Sequence, residues 1–242
     1  MVFLMLACTD SDGDSGTFTP AERDTVAEEC SAWTGIVGLG TTWTYVESED
    51  TAAAGTKIDM VARITYVEGP DVKREGLWTT TTGLAPPDDT GDTAAQVSGE
   101  GETTTLHTTD HYRCDADGLH LESEGYEQFT GTNLGGSASS SGTRTYTSSP
   151  LVLPFDPAAT PSWSATFAGT SNYAGEASIV DHVRSCTATA AATIDTGLGT
   201  LSGIEVVCAG SDDIDSHSDR AFYASNAGRV RDATVILAAY SP

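Results

Sequence analysis

One pair of histidines in this sequence has a spacing that could bind a metal ion. His107 and His111 are four residues apart, a spacing that brings two ligands to one ion when the residues lie on a helix. The surrounding segment TLHTTDHYR has the composition of a strand, in which the two side chains would be about 13 Å apart. We therefore predict no metal site there and interpret His120 and His182 as ordinary strand residues.

The acidic segment SDDIDSHSD is a second candidate for metal binding. It carries Asp213, Asp215, His217 and Asp219 at alternate positions. This alternation is faintly similar to a calcium-binding loop, but the central glycine and the bidentate glutamate of such loops are missing. We interpret the segment as a solvated acidic loop. The sequence predicts neither a metal nor another cofactor.

Nucleophilic chemistry has no motif in this sequence. Serine is abundant, but no serine lies in the Gly-x-Ser-x-Gly elbow of hydrolases. No glycine-rich phosphate loop lies between a strand and a helix. We therefore predict a protein without catalytic residues, that is, not an enzyme.

The first cysteine indicates a cellular address. Leu6-Ala7-Cys8 resembles the end of a bacterial lipoprotein signal, and a polar run rich in Asp, Ser and Gly follows. We predict that residues 1–8 are the remnant of a signal whose start codon lies upstream, and that Cys8 carries lipid. Residues 9–19 would be a flexible acidic tether, and residues 20–242 would form a single β domain. The protein would be exported and anchored in the bacterial cell envelope, at the outer membrane because Asp does not follow Cys8. The alternative is an accidental apolar start on a cytosolic protein.

The other four cysteines are an even set, as expected of an exported chain with two disulfides. CTATAAATI and LSGIEVVC resemble neighbouring strands joined by the turn DTGLGT. Folding them about Gly197 places Cys186 opposite Cys208, close enough for a disulfide. A Cys30–Cys114 disulfide follows by elimination.

The charge balance excludes one class of partner. The chain has 35 acidic and 11 basic residues, a net charge of −24. Such a surface repels a phosphate backbone, so we predict no nucleic-acid binding. No apolar run approaches the ~20 residues that span a bilayer. Membrane association would therefore depend on the lipid on Cys8.

The elements that must position these residues are strands. In KIDMVARITYV, one face carries Ile58, Met60, Ala62, Ile64 and Tyr66. A short helix from Pro20 to about Ser31 precedes the strands, and exposed loops are expected at LAPPDDTGDTAAQVSGEGE and TGTNLGGSASSSGT. We predict an all-β fold, an antiparallel meander curled into a half-barrel or open sheet.

Several short motifs occur together in this sequence: GTTWTY, YRCDADGL, PLVLPFDP with a following Trp, DTGLGTLSGIEVV and FYASNAGRVR with a following Tyr. In this combination the chain resembles uncharacterised bacterial envelope proteins, often lipidated, some of which are grouped as TapB-like domains of unknown function. The architecture of those proteins is similar to the half-barrels of the lipoprotein carriers LolA and LolB. The resemblance implies a fold and an envelope address, and it implies no catalytic residue.

Two functions are consistent with these observations. The first is a non-catalytic, lipid-anchored envelope protein with a structural or interaction role. The alternative is a periplasmic carrier that holds an apolar ligand or lipid in its concavity, lined by aromatic residues such as Trp43 and Phe167. An apolar cavity larger than ~300 Å³ would favour the carrier, and a filled interior would favour the first function.

Overall fold

The computed structural model describes residues 32–53, 55–82, 102–131, 137–211 and 216–242, and within these ranges the chain is almost entirely β-strand. The elements are β1 (Thr42–Glu47), α1 (Glu49–Ala53), β2 (Lys57–Glu68), β3 (Asp71–Thr82), β4 (Glu102–Asp115), β5 (Gly118–Gly131), β6 (Ser137–Tyr146), β7 (Leu151–Pro154), β8 (Ser162–Tyr173), β9 (Glu176–Thr196), β10 (Gly199–Ser211), β11 (Ser216–Ala224), β12 (Gly228–Asp232) and β13 (Val235–Ser241). Every described strand pairing is antiparallel.

The sheet closes on itself, so the prediction of a half-barrel or open sheet is wrong. Its order is β4-β3-β2-β1-β13-β12-β11-β10-β9-β8-β6-β5, and β5 pairs again with β4 to complete a ring of 12 strands. The short strand β7 is not counted among the 12; it pairs with the first residues of β5, just before the part of β5 that pairs with β6. The antiparallel all-β prediction is confirmed, but closure depends on the distant pair β1 and β13, which local periodicity does not reveal.

Strand β2 illustrates how alternation builds the wall of the barrel. Ile58, Met60, Ala62 and Ile64 are buried as predicted, whereas the residues between them are exposed. A bulge in the pairing with β3 lies between Ile64 and Tyr66, so the alternation shifts by one residue. Val67 is therefore buried and Tyr66 faces outwards, contrary to the prediction for Tyr66.

The hairpin of β9 and β10 confirms the predicted disulfide. Cys186 lies opposite Cys208, and their sulfur atoms are bonded with the Cα atoms 4.0 Å apart. The turn spans Thr196 to Gly199, and a bulge opposite Gly203 moves the later pairs by one residue. A β-carbon at Gly203 would lie 2.0 Å from the carbonyl oxygen of Tyr223, so glycine is required there by the close approach of β11.

Two further predictions have different outcomes. The hairpin turn between Asp115 and Gly118 is confirmed, and Gly118 has a positive φ of 140°. In contrast, the SASSSG segment predicted as a loop belongs to β6, because β5 pairs with it along its whole length and β8 pairs from Gly142 onwards. Strand pairing thus overrides the low strand propensity of serine.

Some predictions fall outside the described residues. They concern the signal remnant and tether with Cys8, the helix up to residue 31, the partner cysteine Cys30, and most of the long acidic loop before β4. Cys114 is itself disulfide-bonded, and its pairing with Cys30 stays a prediction. Within the described ranges, no helix is long and apolar enough to span a bilayer.

Candidate ligand site inside the barrel

The barrel interior combines a tightly packed apolar region with a band of arginine side chains. Ile64, Val72, Val230 and Leu237 are at most 1% exposed and pack in the apolar region. Arg74 and Arg184 alternate with buried residues along their strands. Arg229 lies beside a bulge and lines the interior cavities. Guanidinium groups at such positions need partners, because an unpaired buried charge is strongly destabilising.

Arg184 reaches the interior because it alternates with Cys186 along β9. Its guanidinium carbon lies 5.0 Å from the centre of the Phe167 ring, and its Nη1 lies 3.3 Å from a carboxylate oxygen of Asp219. The side chain of Asp219 is 64% exposed, so this end of the interior opens to solvent. The Nε atom of Arg184 is buried and has no hydrogen-bond partner among the described residues.

Arg229 lies at the bulge between β11 and β12, opposite Tyr223. Its Nη2 donates to a carboxylate oxygen of Asp232. The other oxygen of Asp232 accepts hydrogen bonds from the backbone of Thr234 and Val235 at 2.6 and 2.9 Å, so this carboxylate is fully engaged. The Nε of Arg229, like that of Arg184, is buried without a partner in the described part of the chain.

Arg74 forms the third ion pair and makes the best-satisfied polar cluster of the interior. Its Nη2 donates to Asp110 at 2.7 Å and to the hydroxyl of Tyr112 at 2.8 Å. Burial opposes the charge on Arg74, but Tyr112 and Asp110 raise its pKa overall. Burial also raises the pKa of Tyr112, and it raises the pKa of Tyr45, whose hydroxyl donates to the carbonyl of Arg229, to about 12.

A cavity of about 330 Å³ lies beside Arg184 and Arg229. Its polar groups are the two arginines, Asp219 and Tyr223. Its walls are the Cys186–Cys208 disulfide and apolar side chains from β7 to β11, namely Leu151, Val152, Ala165, Phe167, Val206 and Ala221. Two smaller cavities of about 140 and 190 Å³ also contact Arg229 and extend towards Arg74. The interior is therefore neither filled nor purely apolar.

A larger concavity, about 650 Å³, is an open groove on the outer face of β4, β5 and β6. His107 and His111 both line it, on the outward face of β4 with Thr109 between them. Burial and the charge of Lys73 lower the pKa of His111. Among the described residues, these histidines form no group of three with a further histidine, cysteine or carboxylate whose ligand atoms lie within 4.8 Å of one another.

The residues singled out from the sequence contribute to the interior in part. Cys186 and Cys208 line the 330 Å³ cavity, and Phe167 forms part of its wall, as the carrier hypothesis required of an aromatic residue. Asp219 was assigned to a solvated loop but lies on β11 and pairs with Arg184. Residues 212–215 of that acidic segment are outside the described ranges.

The interior arginines were missed by the sequence reasoning, although a signal for one of them exists. In SIVDHVRSC, Val180, His182, Arg184 and Cys186 have the same parity, so a buried disulfide implies an inward-facing arginine two residues before it. Arg229 carries no such signal, because the bulge beside it breaks the alternation.

No family model, curated protein or solved structure matches this chain.

Proposed function

We propose that this protein is a non-catalytic binding protein whose barrel holds a small amphipathic molecule with a carboxylate or similar acceptor group. The observation that carries the proposal is the 330 Å³ cavity, in which apolar walls meet the guanidinium groups of Arg184 and Arg229. The Nε atoms of both groups are buried without a partner in the described structure. Small-molecule sites have this composition, with apolar walls and a few convergent polar groups.

The chemistry of the ligand follows from the arginines. A guanidinium group donates and cannot accept, so the ligand must present an acceptor. Each arginine is already paired with an aspartate, so net charge alone does not attract an anion. We therefore expect recognition through directed hydrogen bonds to one end of the ligand, with its apolar part against Phe167 and Val206.

This proposal refines the carrier hypothesis in one respect: the ligand is amphipathic instead of purely apolar. The envelope address and the lipid on Cys8 remain part of the proposal and rest on the Leu6-Ala7-Cys8 pattern. The resemblance to TapB-like lipoproteins stays a hypothesis of the same standing. A structural or interaction role is the competing function.

Calorimetric titration tests the proposal, with octanoate as the probe and 1-octanol as the probe without a carboxylate. We expect octanoate to bind more tightly than 1-octanol. Arg184→Met should weaken octanoate binding about 10- to 100-fold, the value of one or two hydrogen bonds to a charged group. Ala221 is a half-buried residue of the cavity wall. The larger side chain in Ala221→Trp should fill the cavity and abolish binding of both probes.

Arg63→Met is the matched control, because it removes the same charge from a residue that is exposed on the outer face of β2. Equal octanoate affinity in the Arg184 and Arg63 variants would contradict the site. Mass spectrometry of the protein from its native cells completes the test by detecting lipid on Cys8 and any bound small molecule. A barrel with neither a bound molecule nor affinity for octanoate would favour the structural role.

A further inference from the structure

A second polar cluster lies outside the barrel cavity, at the turn between β4 and β5. Asp115 and Asp117 belong to the turn, and His120 follows on β5. One ligand atom from each of the three residues lies within 4.8 Å of the other two. The set combines an imidazole with two carboxylates.

The orientation of His120 is fixed by the backbone. Its Nδ1 lies 2.8 Å from the carbonyl oxygen of Ser149. A carbonyl can only accept, so Nδ1 carries the hydrogen, and in the neutral ring Nε2 has a free lone pair. Ser149 presents this carbonyl from a left-handed backbone conformation with φ of 41°, which is uncommon for a non-glycine residue.

The free nitrogen of His120 faces another acceptor. Nε2 lies 3.2 Å from Oδ1 of Asp115. The atom is buried, and its alignment with Asp115 is not that of a hydrogen bond; no other described residue supplies a partner. Two lone pairs at this distance repel each other unless a positive charge lies between them.

Asp115 is held in place for such a charge. Its Oδ1 accepts the backbone N–H of Asp117 at 3.1 Å, and its Oδ2 lies 3.3 Å from Arg113. With both oxygens of Asp115 held in this way, Oδ1 stays next to Nε2 of His120.

We propose that Asp115, Asp117 and His120 bind a divalent transition-metal ion. An imidazole whose second nitrogen donates to a backbone carbonyl is the usual arrangement of a metal-binding histidine. The nitrogen ligand favours Zn²⁺ and its neighbours over Ca²⁺ and Mg²⁺, which prefer oxygen ligands alone. With three protein ligands, at least one coordination position stays open to water.

The site would have a structural consequence. The carbonyl of Ser149 directly precedes Pro150 and β7, and β7 pairs with β5 just after the turn. A β-carbon at Gly118 would lie 2.2 Å from the carbonyl oxygen of Leu153, so β7 is in close contact with the turn. A bound ion would therefore fasten the turn and β7 to each other at this end of the barrel.

Zinc titration of the full chain, without an affinity tag and in a Cys8→Ser background, tests the proposal. The Cys8 substitution removes a thiol that could bind zinc independently. We expect one Zn²⁺ per chain by native mass spectrometry, and a rise in the midpoint of thermal unfolding. Asp117→Asn and His120→Gln should each lower the Zn²⁺ affinity measured by calorimetry at least about 10-fold.

Asp117→Asn keeps the test valid if His120→Gln fails to fold, since Asp117 is exposed. His107→Gln is the control, because His107 lies on the outward face of β4 without a third ligand, and it should bind Zn²⁺ as the parent does. Wild-type affinity in the Asp117 variant would overturn the proposal. So would the absence of stoichiometric Zn²⁺ binding, which would leave a protonated His120 paired with Asp115.

Discussion

At the scale of single residues, the interior of this barrel is defined by polar groups that the core must neutralise. Arg74, Asp110 and Tyr112 satisfy one another, whereas Arg184 and Arg229 retain donors beside a cavity. The first arrangement is expected of a structural network, in which every member has its partner. The second is expected of a binding site, because two guanidinium groups border a cavity that has room for an acceptor.

Tyr45 makes a residue-scale prediction about alkaline pH. Its ring is 6% exposed, and burial raises its pKa from 10.0 to about 12. The unfolded chain releases this proton near pH 10, while the folded protein keeps it until about pH 12. The free energy of unfolding should therefore fall across this window, by up to about 3 kcal/mol from Tyr45 alone.

Tyr45→Phe has no proton to lose, so its free energy of unfolding should fall less between pH 10 and pH 12. Urea denaturation at a series of pH values measures the difference. Tyr173→Phe is the control, since the ring of Tyr173 is 56% exposed. Parallel pH profiles for the parent and the Tyr45 variant would contradict the burial argument.

At the scale of elements, the disulfide ties two strands that also form a cavity wall. Cys186 and Cys208 are 22 residues apart in sequence. Closing a loop of this length restricts the unfolded chain and is worth about 3 kcal/mol in the chain-entropy model. We expect the double variant Cys186→Ala/Cys208→Ala to lose about that much unfolding free energy in urea, compared with a Cys8→Ser control.

Peptide mapping without reduction provides the second readout for this pair. A peptide that links residue 186 to residue 208 agrees with the strand register. A link from either cysteine to Cys30 or Cys114 would show that the register of β9 and β10 is different. Unchanged stability of the double variant would instead show that the unfolded chain gains little freedom.

How far elements can be predicted depends on whether their signals are local. The β9–β10 hairpin was predictable because alternation and a glycine-rich turn are local signals. Its predicted centre at Gly197 gives the cysteine pair, but the turn pairs Thr196 with Gly199, and the bulge beside Gly203 brings Cys186 opposite Cys208. Tyr66 was assigned to the wrong face because a bulge depends on the neighbouring strand. The serine-rich β6 was missed since its strand structure comes from pairing with β5 and β8.

The candidate sites were harder to predict than the strands for the same reason. Arg184 and Asp219 are far apart in sequence and meet only across β9, β10 and β11. The carbonyl that orients His120 comes from Ser149, in the segment before β7. The turn motif YRCDADGLH contains all three proposed metal ligands, yet it carries no sign of that carbonyl.

At the scale of the whole molecule, closure depends on β13. It pairs with β1 and β12, and the turn between β9 and β10 also contacts it, with the N–H of Gly197 donating to the carbonyl of Leu237 at 2.8 Å. Leu237 is fully buried, and the Trp43 and Tyr240 rings pack 5.9 Å apart across the junction. Nearest neighbours in sequence form most other pairs of the ring, so this junction joins its two distant ends.

Deletion of residues 233–242 should therefore open the barrel. The unpaired edges of β1 and β12 would expose backbone donors and acceptors together with buried side chains such as Val230, and such edges promote association between chains. We expect loss of the cooperative thermal transition in near-ultraviolet circular dichroism and aggregation in size-exclusion chromatography. Deletion of residues 241–242 alone keeps Leu237 and Tyr240 and should leave a cooperative transition. A monomeric, cooperatively unfolding protein without β13 would mean that the remaining strands close without it, and the 12-strand ring would not be what stabilises the fold.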